Sequence, residues 1–81
     1  MSRFEKLLEA IQQNPKTVVF SDLAKILQRF GYTMHQPNGG SSHYTFRKSG
    51  MKPLTVPSHR PYVNEAYVHM IIEALKKEGL L

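Results

Sequence analysis

The sequence predicts an α+β domain, a two-layer sandwich in which a three-stranded antiparallel sheet carries the helices on one face. Apolar residues recur at helical spacing before residue 31 and again after residue 64, whereas the segment between them alternates with a period of two. Two turn signals, Asn38-Gly39 and Ser49-Gly50, divide this alternating segment into three strands. The 81 residues form a single domain, 1–81, because they are too few for two.

Two helices are predicted before the strands. Apolar residues at positions 4, 7, 8 and 11 share one helical face, so residues 2–13 form a helix that Ser2 caps and that ends before Pro15. Apolar residues at positions 23, 26, 27 and 30 define the second helix. Ser21 is predicted as its N-cap and Gly31 as its C-terminal stop.

Three strands are predicted, in residues 32–36, 42–48 and 52–56. If the second turn centres on Gly50, the facing pairs are Phe46 with Leu54 and Tyr44 with Val56. These four side chains are mainly apolar, so their face of the sheet packs against the helices.

The opposite face of the sheet is predicted to be open. His43, Thr45 and Arg47 lie on it, because side chains alternate along a strand. If the first turn centres on Gly39, within a predicted turn at 37–41, His35 lies near His43 on the same face. A last helix then runs from its N-cap at residue 64 to a glycine at residue 79, with its apolar stripe at positions 68, 71, 72 and 75.

The charge distribution favours a polyanion as partner. The net charge is +5, and residues 32–60 contain four basic residues, no acidic residue and three of the four histidines. A solvated basic surface is the alternative explanation. The chain has no cysteine, which excludes disulfides, thiolate metal sites and cysteine nucleophiles. No apolar run could span a membrane and no export signal is visible, so a cytoplasmic location is expected.

Histidine beside arginine on a basic face suits metal-free cleavage of RNA. The guanidinium fork of arginine binds phosphate oxygens, and histidine can take or give a proton near neutral pH. The six acidic residues avoid residues 32–60 and the histidines lack metal-ligand spacing, so neither a metal nor a cofactor is predicted. A serine hydrolase is not predicted either, because there is no Gly-x-Ser-x-Gly motif.

The segment 39–47, GGSSHYTFR, resembles the marker of the HicA family of toxin mRNA interferases. In that family a Gly-Ser-His-His-like stretch opens a strand that ends in an aromatic and often a basic residue. The helix at 21–30 with its Gly-Tyr step, and the segment 54–59, LTVPSH, also resemble the corresponding parts of the family. The similar region is residues 21–80, and the order and spacing of its three segments agree.

This resemblance implies a fold like that of double-stranded-RNA-binding domains, with the order helix, strand, strand, strand, helix. It implies ribosome-independent cleavage of mRNA that arrests translation and growth, and a HicB-like antitoxin that binds the toxin and masks its site. The catalytic histidine of the family falls on His43. Tyr44 replaces a second family histidine, but it faces the core by alternation, so its loss need not remove activity. Ser41 replaces a glycine, which alters the turn rather than the chemistry.

The helix at 2–13 lies outside the family core, where it either packs against the sheet layer or helps to bind a partner. The predicted site centres on His43 as general base or general acid. Residues expected to contact RNA or its phosphates are Ser42, Arg47, Lys48 and His35. His59 either shapes the edge of this site or only holds its loop.

Two other functions remain open at this stage. The first is a non-catalytic RNA-binding module of the same fold. Such modules often place a lysine cluster at the start of the last helix, whereas residues 64–67 read NEAY and contain none. The second is a domain that binds only other proteins. RNA binding that does not depend on salt would support it, because contacts to phosphates give a steep salt dependence.

Overall fold

The computed structural model describes residues 2–36 and 42–81, and it confirms the predicted α+β fold. Three helices accompany one three-stranded antiparallel sheet, and a short 3-10 turn at Pro15–Thr17 separates the first two helices. The elements are α1 (Arg3–Gln13), α2 (Phe20–Arg29), β1 (Thr33–His35), β2 (His43–Arg47), β3 (Leu54–Pro57) and α3 (Glu65–Lys77). Within the described ranges no helix has the length and apolar content needed to cross a membrane.

α1 begins and ends where the sequence predicts. The hydroxyl oxygen of Ser2 accepts a hydrogen bond from the backbone N–H of Glu5 at 3.1 Å, which satisfies one of the unpaired donors of the first turn. α1 buries Ile11 and sets the ring of Phe4 edge-on against Phe30 at 5.4 Å. Its main neighbours are α2 and the 3-10 turn, so it does not pack mainly against the sheet; the alternative that it helps to bind a partner stays a prediction.

The predicted N-cap of α2 is wrong by two residues. The cap is Val19, which has an extended backbone and makes no side-chain capping bond, and Ser21 lies inside the first turn. Phe20 takes the first helical position, where its ring packs edge-on against Tyr44 at 5.0 Å. The first residue of α2 is thus set by aromatic packing against the sheet and not by the capping preference of Ser21. The end of the helix is as predicted, with Gly31 at a φ of 97° that favours glycine.

The sheet has the order β1-β2-β3. Between β2 and β3 the predicted pairs are confirmed, Phe46 with Leu54 and Tyr44 with Val56. Between β1 and β2, His35 pairs with Thr45 instead of with His43, so the predicted register is wrong by two residues. Because a shift of two residues keeps every side chain on its face, His35 remains on the open face. The turn predicted at 37–41 lies outside the described residues.

The hydrophobic core fills the space between the helices and one face of the sheet. Phe46 is the largest fully buried side chain and occupies the centre of that face. α3 begins at the predicted cap, since the Asn64 side-chain oxygen accepts a hydrogen bond from the N–H of Ala66 at 2.8 Å. The other fully buried side chains of this core are Leu23, Ile26, Leu27, Val56, Val63, Val68, Ile71 and Leu75.

Tyr32 makes the stability of this core sensitive to alkaline pH. Burial, and to a smaller extent the negative charge of Glu78, raises the pKa of Tyr32 above its ordinary value of 10.0. The folded protein therefore favours the neutral phenol, and this contribution to stability is present below the unfolded-state pKa and lost as pH rises through the folded-state pKa. We expect Tyr32→Phe to lose less stability than the wild type at high pH, as measured by urea unfolding at neutral and alkaline pH. Tyr62→Phe, at an exposed tyrosine, is the control and should behave as the wild type.

Candidate functional site

The open face of the sheet carries three of the predicted site residues, on β2 and on its neighbour β1. His43 and Arg47 stand on β2 with Thr45 between them, and both ends of this row are exposed. The hydroxyl oxygens of Thr45 and Thr55 lie 3.4 Å apart, so a small polar pair joins β2 to β3 at the centre of the face. His35 on β1 is exposed beside them, opposite Thr45.

The distance between His43 and Arg47 along β2 limits which ligand groups both side chains can contact. Four residues of a strand span about 13 Å, and side chains stand roughly perpendicular to a sheet. The backbone positions of His43 and Arg47 are therefore well separated along the open face. Such a distance favours two separate contact points for an extended ligand over a joint contact with one small group.

The structure places His35 between these two residues. Because His35 pairs with Thr45, it is the diagonal neighbour of both His43 and Arg47, at a typical separation of about 7–8 Å. His35 and Arg47 also line one shallow cavity of about 390 Å³ on this side of the sheet. The observed register thus brings His35, His43 and Arg47 onto one continuous face, although it does not pair the two histidines directly.

Lys48 has a structural partner that the sequence did not reveal. Its ammonium donates a hydrogen bond to the carbonyl oxygen of Phe30 at 2.6 Å and lies 5.8 Å from the centre of the Tyr32 ring. A lysine at this point satisfies a carbonyl at the C-terminus of α2 and interacts favourably with the helix dipole. By the alternation of β2, Lys48 points towards the helices while Arg47 points away from them. Lys48 nevertheless lines the cavity of about 390 Å³ together with Arg47 and His35, so its expected role as a phosphate contact stays a prediction.

This difference predicts opposite effects for two substitutions. Lys48→Met should lower the free energy of unfolding by about 1 kcal/mol, since it removes a half-buried hydrogen bond to a charged group, and should change RNA affinity little. Arg47→Gln should leave the unfolding midpoint unchanged and weaken RNA binding, because Arg47 is exposed. Thermal unfolding and fluorescence anisotropy with labelled RNA measure the two quantities. If Lys48→Met keeps the stability of the wild type but loses RNA affinity, the prediction is wrong and Lys48 contacts RNA directly.

The chain around the start of β2 and the end of β3 forms the edge of the site. The carbonyl oxygen of Ser42 accepts a hydrogen bond from the N–H of Ser58 at 2.8 Å, which continues the pairing one step beyond His43 and Pro57. The exposed residues His59 and Arg60 follow at once. They lie at the same end of the sheet as His43. The predicted pairing of Tyr44 with Val56 already implies this arrangement. It places residue 43 opposite residue 57, and His59 and Arg60 follow shortly after residue 57.

A second depression opens at this end of the sheet, on the side of the helices. We call it the α2–β2 groove; its volume is about 970 Å³. Tyr44, which the sequence placed on the core face, is half-buried and forms part of its wall. The groove is lined by Val19, Phe20, Ser21, Ala24, Met34, Tyr44 and residues 58–61.

The described part of the chain holds no group of three or more histidine, cysteine, aspartate or glutamate side chains that could hold a metal ion. The remaining histidine, His69, lies on α3, where its Nε2 atom is 3.2 Å from a carboxylate oxygen of Glu65. His69 is exposed and belongs to the surface of that helix. It is therefore separate from the open face and serves below as a control.

The protein is a small α+β domain, and it presents histidine and arginine on an open three-stranded sheet. Such a surface is suited to a polyanionic ligand. Comparison with protein families matches residues 20–79 to the family described as the HicA toxin of bacterial toxin–antitoxin systems. The chain belongs to this family, and as a toxin of such a system it has a cognate antitoxin as partner. α1 lies outside the matched residues. No curated protein and no solved structure matches the chain.

Proposed function

We propose that this toxin is an endoribonuclease, an mRNA interferase that cleaves mRNA and so arrests translation and growth in the cytoplasm. The observation that supports this function best is the exposed position of His43 on the open face, with Arg47 and His35 on the same face. The absence of acidic residues from 32–60 keeps this face attractive to RNA. Membership of the HicA toxin family supports the same function.

The proposed reaction is an internal transesterification of RNA. A base removes the proton of a ribose 2′-hydroxyl, the oxygen attacks the adjacent phosphorus, and the bond from phosphorus to the 5′-oxygen breaks. The products are a 2′,3′-cyclic phosphate and a 5′-hydroxyl, whose oxygen takes up a proton. The imidazole of His43 takes the first proton or gives the second, a role that typically contributes about 10²–10⁴-fold. No step requires a metal or a cofactor.

The other exposed residues of the face would hold the substrate. Arg47 and His35 bind phosphates next to the one that is cleaved, in keeping with their separation from His43 along the sheet. Ser42 precedes His43 at the end of the sheet and by alternation is not part of the open face; its exposed hydroxyl donates a hydrogen bond to a phosphate that passes around this end. Lys48, which lines the cavity of about 390 Å³ with Arg47 and His35, would contact phosphates less directly, because its ammonium is bonded to the carbonyl of Phe30.

The partner proposed for this face is a HicB-like antitoxin that masks the site. The open face and its surroundings carry basic residues without acidic ones between residues 32 and 60. A protein that covers such a face needs an acidic surface, since opposite charges speed association and fix its orientation.

Cleavage of purified RNA in the presence of a chelator tests the enzymatic function. We expect RNA to be cut into fragments that end in 2′,3′-cyclic phosphates, at the same rate with and without the chelator. Binding of RNA without cleavage would instead identify a non-catalytic RNA-binding module. RNA binding that is indifferent to salt would contradict both functions and favour a protein-interaction domain, because phosphate contacts give a steep salt dependence.

A further inference from the structure

The α2–β2 groove lies beside the proposed active site but on the other side of the sheet. His43 and Tyr44 are consecutive residues of β2, so their side chains point to opposite faces at the same end of the strand. Tyr44 faces the groove and His43 faces the open side. An extended strand of RNA that passes around this end of the sheet, at Ser42 and Ser58, contacts both.

The walls of the groove are suited to an aromatic ring. Phe20 and Tyr44 meet edge-on at 5.0 Å, with an angle of 87° between their planes, and both are only partly buried. Met34 adds an apolar side chain that is 39% exposed. Partly exposed aromatic side chains are the surfaces on which proteins stack unpaired bases.

The rim of the groove adds positive charge to these apolar walls. Arg60 and His59 line it, and no carboxylate does among the described residues. A nucleotide combines an aromatic plane with a negative phosphate, so it complements both parts of the groove. An apolar segment of a protein partner would complement the walls but would leave the guanidinium of Arg60 without a counterpart. The charge of the rim therefore favours a nucleotide as the occupant.

We propose that the α2–β2 groove binds one unstacked base of a single-stranded RNA, close to the nucleotide whose phosphate lies at His43. The proposal rests on the proposed function, and it deepens that function by assigning a base-binding site next to the reacting phosphate. In an RNA duplex the bases are stacked and paired, so none can enter the groove unless the duplex opens. The groove supplies affinity and base preference, and Arg60 holds the phosphate of the base that it accepts.

The test combines changes in the RNA with a change in the groove, in a His43→Ala protein that does not cleave. A short labelled RNA is prepared with one base removed at each position in turn. We expect removal of the base at one particular position to weaken binding about tenfold, since stacking of a base on aromatic side chains is of that order. Ser21→Leu, at an exposed position that lines the groove, should abolish this difference, because the larger side chain obstructs the groove.

Two further variants make the result specific. Gln28→Leu, at an exposed position of α2 outside the groove, should retain the tenfold difference. Arg60→Gln should reduce the slope of log affinity against log salt by about 0.7, the value expected for one phosphate contact with a single strand. Lys25→Gln removes an equal charge from the exposed surface of α2 and should change this slope much less. Thermal unfolding of each protein confirms that it is folded.

The possible results separate this proposal from the enzymatic one. If no base removal matters, or if its effect persists in Ser21→Leu and Arg60→Gln leaves the salt slope unchanged, the groove does not bind a base. Loss of antitoxin binding in Ser21→Leu with unchanged RNA binding would also overturn the proposal, in favour of a protein-docking groove. If the wild type does not cleave RNA but Ser21→Leu still abolishes a base effect, the groove binds a base and only the proposed reaction is wrong.

Discussion

Replacing His43 with alanine should lower the rate of RNA cleavage by about 10²–10⁴-fold and leave the fold unchanged. The loss is expected because His43 is the histidine that stands exposed at the start of β2, at the end of the sheet where β3 is followed by Arg60. The stability should change little, since an exposed strand residue buries little surface. The measurements are the rate of cleavage of a defined RNA, growth on expression, and thermal unfolding of the purified protein.

Two other histidines provide matched controls for this prediction. His69→Ala, on the outer surface of α3, should cleave RNA at the wild-type rate. His35→Ala should weaken RNA binding without a comparable loss in the maximal rate, because His35 is opposite Thr45 and lies away from the start of β2. Undiminished cleavage by a folded His43→Ala protein would remove His43 from the chemistry, and with it the site proposed on the open face.

Replacing Phe46 with alanine should destabilise the protein by about 3–5 kcal/mol, the usual cost of truncating a fully buried phenylalanine. Phe46 is 1% exposed and sits on the central strand, between its strand partners Leu54 and Met34 and beside the ring of Phe20 at 6.1 Å. A domain of this size is stable by only about 4–12 kcal/mol. The variant should therefore lose a large part of its stability and unfold at a much lower urea concentration and temperature than the wild type.

Met34→Ala is the control for this substitution. Met34 pairs with Phe46 and points to the same face of the sheet, but it is 39% exposed at the edge strand. Its truncation should lower the free energy of unfolding by less than about 1 kcal/mol, since much of its surface is in contact with water in the folded protein. Equal losses in the two variants would mean that the core is not centred on β2.

The face on which His43 and Arg47 lie was predictable from the sequence alone. Alternation along β2 is a local property, and the two apolar pairs that join β2 to β3 allow only one register. The caps at Ser2 and Asn64 were predictable for the same reason, because each is a contact between residues two or three apart. The family could be identified in the sequence because its marker is a short contiguous segment.

Other features formed only when distant elements packed together. Val19 rather than Ser21 caps α2, because the ring of Phe20 is held against β2. The ammonium of Lys48 binds the carbonyl of Phe30, a residue 18 positions earlier in the chain. Neither contact can be recognised from the hydrophobic periodicity of the sequence.

The sequence by itself therefore determined the helices, the strands and the side of the sheet that presents His43. Hydrophobic periodicity and capping act within a few residues, so they can be recognised before the chain folds. The tertiary structure decided which positive charges stay exposed on the open face and where a groove opens at the end of β2. These depend on side chains that meet across the sheet and the helix layer, and such meetings are fixed by packing rather than by order in the chain.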